Sequence, residues 1–189
     1  MPASHAPGTR LTIYSGPLSM FGAKVQIAAL EKRLDFELIM VPFDSQRGYR
    51  PKHPEVLRIN PKGQVPVLDH DGTIITHTTV INEYYEDAFP DAPPLRPNNA
   101  VGNARMRYWN KFVDEHVMNF VSIHGWHRMV GIIARNIESG EFDKLLENIP
   151  LHEQREKWRT ARSVFSEADL ANATRKIEVA VDKVEAQLG

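Results

Sequence analysis

Proline is distributed very unevenly along this chain, and that distribution restricts the folds available to it. Of the 13 prolines, only Pro150 follows Pro97, and the eight residues that end at Pro97 contain four of them. Proline breaks a helix interior and cannot donate a hydrogen bond within a central strand. We therefore predict a linker at residues 90–100, between an N-terminal domain at residues 1–89 and a C-terminal domain at residues 101–189.

The N-terminal half alternates β-like runs with helical spacing. The patterns predict strands at 11–15, 36–43, 64–68 and 73–76, and helices at 23–32, 54–59 and 79–89. Asp71-Gly72 is a strong hairpin signal between the last two strands. A strand–helix–strand opening predicts a parallel pair with a right-handed crossover. The order β-α-β-α-β-β-α thus indicates an α/β domain with a four-stranded mixed sheet and helices on both faces.

The C-terminal half carries helical spacing almost throughout. Predicted helices cover 101–137, 151–162 and 168–188, which gives an all-α domain. The last of them has an apolar stripe at i, i+4, i+7 and i+11, formed by Ile177, Val181, Val184 and Leu188.

Composition excludes several classes of protein. The chain is 42% apolar and 25% charged, with a net charge of −1, so it has no global attraction to nucleic acid or anionic membranes. No tract approaches the ~20 apolar residues of a membrane helix. The absence of cysteine excludes disulfides, thiolate metal sites and a cysteine nucleophile. The first ten residues have no apolar core typical of a secretory signal, so we expect a cytoplasmic location.

Two clusters in the C-terminal half admit a functional and a plain interpretation. His124 and His127 can share a helix face with His116, but a metal site needs firm ligands and supporting partners, so we expect no metal. The basic residues from Arg155 to Arg162 surround Trp158 and could form a nucleic-acid patch. Interleaved glutamates favour a solvated helix face instead.

Residues 60–68 are the most informative segment. Pro66 stands just inside a predicted strand, where it cannot donate to a ladder. One interpretation is a trans proline that begins an edge strand. The other is a cis Val65–Pro66 bond that turns the backbone N–H and C=O of Val65 outward, toward a peptide-like ligand. Spacing leaves both open, although cis bonds are the rarer form.

The stretch Asn60-Pro61-Lys62-Gly63-Gln64-Val65-Pro66 resembles the glutathione transferase signature, Asn-Pro-x-Gly-x-Val-Pro. The whole chain is similar in plan: a thioredoxin-like domain, a proline-rich linker and an all-helical domain. The resemblance implies that Val65–Pro66 is cis and that the Val65 backbone holds the cysteinyl part of glutathione. It also implies a C-terminally short chain, since family members usually continue past a helix such as 168–188. The apolar stripe of that helix should then be exposed.

The resemblance also implies a residue for thiol activation. Ser19 occupies the position of the serine-using classes, and its hydroxyl would hydrogen-bond the glutathione sulfur and favour the thiolate. Its plain interpretation is an N-cap serine. Ser15 and Tyr14 are the alternatives, although Tyr14 lies within a strand. Glutathione itself would be the nucleophile.

Further glutathione contacts follow from the same resemblance. Thr78 and the helix that starts beside it suit the γ-glutamyl carboxylate. His77 replaces the usual acidic residue, and a neutral histidine accepts less strongly from the γ-glutamyl ammonium group. Gln64 would contact the peptide backbone of glutathione. Lys52 would meet the glycyl carboxylate, or is simply a solvated loop lysine.

The predicted activity is attack of the glutathione thiolate on an apolar, aromatic electrophile. Family architecture suggests an acceptor site between the domains, lined by Met20, Phe21, Tyr108 and Phe112. The segment from Gly125 to Arg159 also resembles the bacterial glutathione-dependent β-etherases, which implies cleavage of β-aryl ethers. The family further implies a homodimer and a role in detoxification, with glutathione and a small electrophile as its other partners. The alternative is a binding or scaffold protein without turnover, which the departure at His77 motivates.

Overall fold

The computed structural model describes residues 10–17, 19–41 and 54–189, and the chain divides into two compact units, Met1–Asn103 and Ala104–Gly189. The first unit contains a four-stranded sheet. Its strands are β1 (Leu11–Ser15), β2 (Glu37–Met40), β3 (Val67–His70) and β4 (Thr73–Thr76), in the order β2-β1-β3-β4. β1 pairs parallel with β2, and the other pairs are antiparallel. The predicted mixed sheet is confirmed.

Helices α1 (Met20–Glu31), α2 (Pro54–Ile59) and α3 (Thr78–Ala88) complete this unit. Leu11 and Ile13 lie on one face of β1, because alternate side chains of a strand share a face. They pack with buried residues of the first and third helices, in a core that includes Val25, Ala28, Ala29, Ile81 and Tyr85. The order of elements is the predicted one.

The hairpin between β3 and β4 follows from two residues with positive φ. Asp71 has φ 51° and Gly72 has φ 85°, the signs that a type I′ turn requires. The side chain of Asp69 accepts a hydrogen bond from the Gly72 N–H at 2.7 Å. β3 begins at Val67, three residues later than predicted, because Pro66 has no N–H to contribute to the ladder.

Helix α1 begins at Met20, three residues before the predicted start. Its cap is Ser19, whose Oγ accepts from the Gly22 N–H at 3.0 Å. α2 has the predicted bounds, and α3 begins one residue early at Thr78. The end of the strand predicted at 36–43 lies outside the described residues.

A buried ion pair joins α1, α3 and the proline-rich segment. The Lys32 Nζ donates to Glu86 Oε1 at 2.8 Å and to the Pro93 carbonyl at 3.2 Å. The same Glu86 oxygen accepts from the Leu95 N–H at 3.2 Å. The side chains of Lys32 and Glu86 are only 1% and 9% exposed. These hydrogen bonds hold the segment after α3 against α1 and α3.

A long helical run extends from Ala100 to Asn136, where the sequence predicted one regular helix. It consists of α4 (Ala100–Phe112), α5 (Met118–Gly125) and α6 (Gly131–Asn136), and π-helical turns at Val113–Val117 and Trp126–Val130 separate them. The boundary between the two units falls within α4. The run is continuous, but its hydrogen-bond spacing changes at the two π turns.

Three further helices follow: α7 (Ser139–Glu147), α8 (His152–Ser163) and α9 (Glu167–Leu188). Helix α7 was not predicted, although it buries Phe142 and Leu146 at i and i+4. A capping box between Ser166 and Asp169 begins α9. No helix in the described ranges is both long and apolar enough to cross a membrane.

Two of the basic side chains of α8 donate hydrogen bonds to backbone carbonyls, so the basic face predicted as solvated is solvated only in part. Arg155 Nε donates to the Ile149 carbonyl at 2.6 Å, after the end of α7. Arg162 donates to the Ile137 carbonyl at 3.2 Å, and its guanidinium lies 4.3 Å from the centre of the Phe142 ring. These arginines therefore satisfy carbonyls that the ends of helices leave without partners.

The stripe predicted on the last helix is largely exposed. Val181, Val184 and Leu188 are 52%, 37% and 79% exposed, while Ile177 is half-buried. The buried residues of α9 are the small ones, Ala173 and Ala180.

Candidate active site

Ser19 is half-buried at the turn between β1 and α1, and its two sequence-based interpretations are compatible. A hydroxyl has one donor proton and two acceptor lone pairs. The cap bond from the Gly22 N–H uses one lone pair of Ser19 Oγ. No acceptor for the Ser19 proton occurs among the described residues. The hydroxyl can thus cap the helix and still donate to a ligand, beside the positive end of the α1 dipole.

The turn brings Ser19 close to Val65. A methyl group at Gly16 would lie 3.7 Å from Val65 Cγ2 and 3.8 Å from Ser19 Cβ. The Val65–Pro66 bond is cis, as the resemblance implied. Within the described residues the backbone of Val65 has no hydrogen-bond partner. Gly16 therefore lies between Ser19, which has a hydroxyl to donate, and Val65, whose backbone is unpaired.

Ser15, the alternative to Ser19, has a structural role. It is fully buried, and Gln26 Nε2 donates to its Oγ at 3.2 Å. A methyl group at Gly22 would lie 1.9 Å from that oxygen, so this position permits α1 to approach β1 closely. Tyr14 is half-buried within β1. Of the three hydroxyls, that of Ser19 is the one placed at the start of the helix.

Asn60 holds the loop that leads to Val65, a role that the sequence analysis missed. Its Nδ2 donates to the Gln64 carbonyl at 2.8 Å, and its Oδ1 accepts from the Lys62 N–H at 3.2 Å. Its own carbonyl accepts from the Gly63 N–H at 2.7 Å. The side chain is buried, and Gln64 is half-buried at the end of this loop. The available signal was the position of Asn60 at the first place of the signature.

The turn before α3 combines an unusual backbone with a helix start. His77 has φ 70° and ψ 123°, outside the regions that residues other than glycine commonly occupy. Its side chain is exposed and makes no capping bond to the helix. Thr78 is buried at the first position of α3, and the first turn carries no acidic residue. Such a start offers the positive end of the helix dipole to an anion.

The predicted acceptor residues lie in both units. Met20 and Phe21 are 45% and 37% exposed and directly follow Ser19. On α4, Tyr108 is half exposed and stacks on the partly buried Phe112, with ring centres 6.4 Å apart. Lys52 lies outside the described residues.

The C-terminal histidines do not converge. His124 Nε2 lies 3.1 Å from Thr174 Oγ1, and the His127 ring contacts that of Phe165. His116 packs against Phe112. Within the described residues, no three histidine or carboxylate side chains are placed to hold one metal ion.

Comparisons with known proteins identify the family. The family profile described as glutathione S-transferase, N-terminal domain, matches residues 18–88. Protein LigF of Sphingobium sp. strain SYK-6 is 38% identical over 183 residues, which cover 94% of this chain and 69% of LigF. The chain belongs to the glutathione S-transferase family. Glutathione S-transferase 2 of Saccharomyces cerevisiae is 30% identical, over 93% of this chain and 79% of the yeast protein.

Solved structures agree with this assignment of the transferase. The crystal structure of the β-etherase LigF matches with a TM-score of 0.83 at 38% identity, over 93% of this chain and 72% of LigF. Rice GST1, solved in complex with glutathione, matches with a TM-score of 0.54 at 28% identity, over 75% of this chain and 61% of the rice chain. The matched region 18–88 contains Ser19, Val65 and the turn at His77, so the transferase signature and the candidate site coincide.

Proposed function

We propose that this glutathione transferase opens β-aryl ethers, with Ser19 as the group that stabilises the thiolate. The thiolate sulfur forms a bond to the β-carbon, the bond from that carbon to the ether oxygen breaks, and the phenolate leaves and takes a proton from water. The observation that carries the proposal is the Ser19 hydroxyl, which caps α1 and has no acceptor for its proton among the described residues. The similarity to LigF, a protein described as a β-etherase, supports the choice of reaction.

Glutathione would bind along the first unit, because the unpaired backbone of Val65 and the positive end of the α3 dipole suit its peptide and carboxylate groups. The Val65–Pro66 segment would pair with the cysteinyl residue, and Gln64 would contact the adjacent peptide bond. The start of α3 at Thr78 would attract the γ-glutamyl carboxylate, because the helix dipole is positive there. His77 would lie beside the γ-glutamyl ammonium. Lys52 remains our proposal for the glycyl carboxylate.

Apolar side chains would contact the acceptor: the exposed Met20 and Phe21 in the first unit, and the exposed Tyr108 with the half-buried Phe112 in the second. We also propose a homodimer in the cytoplasm with a role in the removal of electrophiles. The absence of cysteine fits a reducing compartment, where disulfides contribute no stability. Light scattering at micromolar concentration tests the dimer.

The role of Ser19 is tested through the thiol of bound glutathione. A hydrogen bond to a charged group contributes about 1.5–3 kcal/mol, so Ser19→Ala should raise the pKa of the bound thiol by about 1–2 units. Titration of the thiolate absorbance measures that pKa. Ser19→Thr keeps both the hydroxyl and the cap, so it should retain a thiol pKa close to that of the wild type. An unchanged pKa in Ser19→Ala contradicts the assignment.

Calorimetry and product analysis test the rest of the proposal. Glutathione should bind in the millimolar range or tighter, and a failure to bind there favours the scaffold alternative. Incubation with a β-aryl ether should release one phenol for each glutathione conjugate formed. If haloaromatics react while aryl ethers do not, the transferase activity stands and the choice of substrate is wrong.

A further inference from the structure

Lys183 of α9 lies against an aromatic surface on α4. Its Nζ is 4.4 Å from the ring centre of Phe112, 4.9 Å from that of Tyr108 and 5.8 Å from that of Trp109. The ammonium also donates a hydrogen bond to Tyr108 Oη. All four residues belong to the second unit, and we call them the Lys183 cluster. It was not predicted, because Lys183 and Tyr108 are 75 positions apart.

Among the described residues, Lys183 lacks the carboxylate partner that Lys32 and Lys111 have. Lys111, on the same helix as the three rings, pairs with Glu115 at 2.6 Å. Lys32 pairs with the buried Glu86 at 2.8 Å. Within residues 10–17, 19–41 and 54–189, no carboxylate lies within ion-pair distance of Lys183. Aromatic faces attract a cation but do not neutralise it, so the ammonium keeps the capacity to attract an anion.

The cluster is also accessible. Tyr108 is 50% exposed, Lys183 is exposed, and no residue of α4 is fully buried. An ammonium has three donor protons, and the Tyr108 hydroxyl accepts only one of them. A ligand can therefore reach the remaining donors and the ring surface together, without opening a packed core.

We propose that the Lys183 cluster binds aromatic acceptors that carry an acidic oxygen, either an aryl carboxylate or a phenolate. The rings of Tyr108 and Phe112 provide stacking surface for the aryl group, and the ammonium of Lys183 pairs with the anionic oxygen. The assignment rests on the proposed function, in which Tyr108 and Phe112 contact the acceptor. It adds a specificity: anionic aromatic acceptors are preferred over neutral ones of the same shape.

The test compares two ligands that differ only in charge. Calorimetry without glutathione measures the binding of 4-nitrobenzoate and of 4-nitrobenzamide to the full chain. We expect the wild type to bind the benzoate more tightly, and Lys183→Met to weaken benzoate binding roughly tenfold while the benzamide changes less than about twofold. Lys183→Arg should retain most of the preference, because the positive charge remains.

Lys176→Met is the matched control, since residues seven apart lie on nearly the same helix face and Lys176 is also exposed. It should leave both affinities unchanged. Equal losses for both ligands in Lys183→Met, an unchanged benzoate affinity, or a wild type without preference each overturns the proposal.

A kinetic arm separates this proposal from the transferase activity. Lys183→Met should lower kcat/KM with 4-(bromomethyl)benzoate more strongly than kcat/KM with the matching benzamide. If the wild type turns over neither electrophile, the proposed function is contradicted. The binding comparison needs no glutathione, so it would still decide the role of Lys183.

Discussion

Removal of one partner of the buried Lys32–Glu86 pair should destabilise the first unit strongly. Lys32→Met removes the counter-charge of the Glu86 carboxylate, which is only 9% exposed. Of the hydrogen bonds described for this pair, the carboxylate then keeps only the one from the Leu95 N–H. Glu86→Gln leaves the Lys32 ammonium, only 1% exposed, without its counter-charge. An unpaired buried charge costs about 3–5 kcal/mol, because its desolvation is no longer offset. Glu86→Gln should fall near the lower end, since the amide oxygen can still accept from Lys32.

The neighbouring Arg96–Asp87 pair is a natural control. It has the same 2.8 Å separation and also joins α3 to the proline-rich segment, but its side chains are 29% and 68% exposed. Solvated pairs contribute about 0–1 kcal/mol, so Asp87→Asn should change the free energy of unfolding by less than about 1 kcal/mol. Burial is the main difference between the two pairs.

Urea denaturation followed by circular dichroism measures the free energies of unfolding, and a double variant completes the cycle. Lys32→Met combined with Glu86→Gln removes both charges, and should cost less than the sum of the two single changes. If Lys32→Met costs no more than Asp87→Asn, or if the double variant costs the sum of the single ones, the argument from buried charge is refuted.

Three further predictions concern single positions. Gly22→Ala should destabilise the protein by about 2 kcal/mol through overlap with Ser15 Oγ, and less in a Ser15→Ala background; equal costs in urea denaturation would contradict this contact. Tyr85→Phe should leave stability at pH 7 unchanged or raise it by up to about 1 kcal/mol, because the buried hydroxyl has no partner among the described residues. Burial raises the pKa of Tyr85 above its ordinary value, so the free energy of unfolding of the wild type should fall as pH rises past about 10. It should fall less in Tyr85→Phe, and parallel profiles of the unfolding free energy against pH would count against this. His77→Glu should strengthen glutathione binding about two- to fivefold in calorimetry by pairing with the γ-glutamyl ammonium, and an equal gain with deamino-glutathione would exclude that pairing.

The sequence predicted correctly those elements that depend on one or two neighbouring residues. Asp71-Gly72 specified its hairpin because both residues tolerate positive φ, and Pro54 marked the start of α2. The predicted start of α1 was three residues too late and left Gly22 outside the helix. Only its approach to Ser15, on another element, shows why glycine occupies that position within the helix.

The site followed from family resemblance more than from spacing. Ser19 and Val65 both lie near Gly16 because β1 and β3 are paired in the sheet, a long-range contact that periodicity does not contain. For the same reason, the sequence did not predict the Lys32–Glu86 bond or the contact of Lys183 with Tyr108. The two residues are 54 positions apart in the first pair and 75 in the second. Contacts between residues that are far apart in the sequence can be identified only from the folded structure.

The two π turns in the run from Ala100 to Asn136 have a consequence for alignment. Each π turn accommodates one residue more than a regular α-helix, which rotates everything after it by about 100° around the axis. Positions beyond Val130 are therefore out of phase with those before Val113. A correct alignment with a relative whose helix is regular needs single-residue gaps inside a helix, where gaps are normally removed as errors.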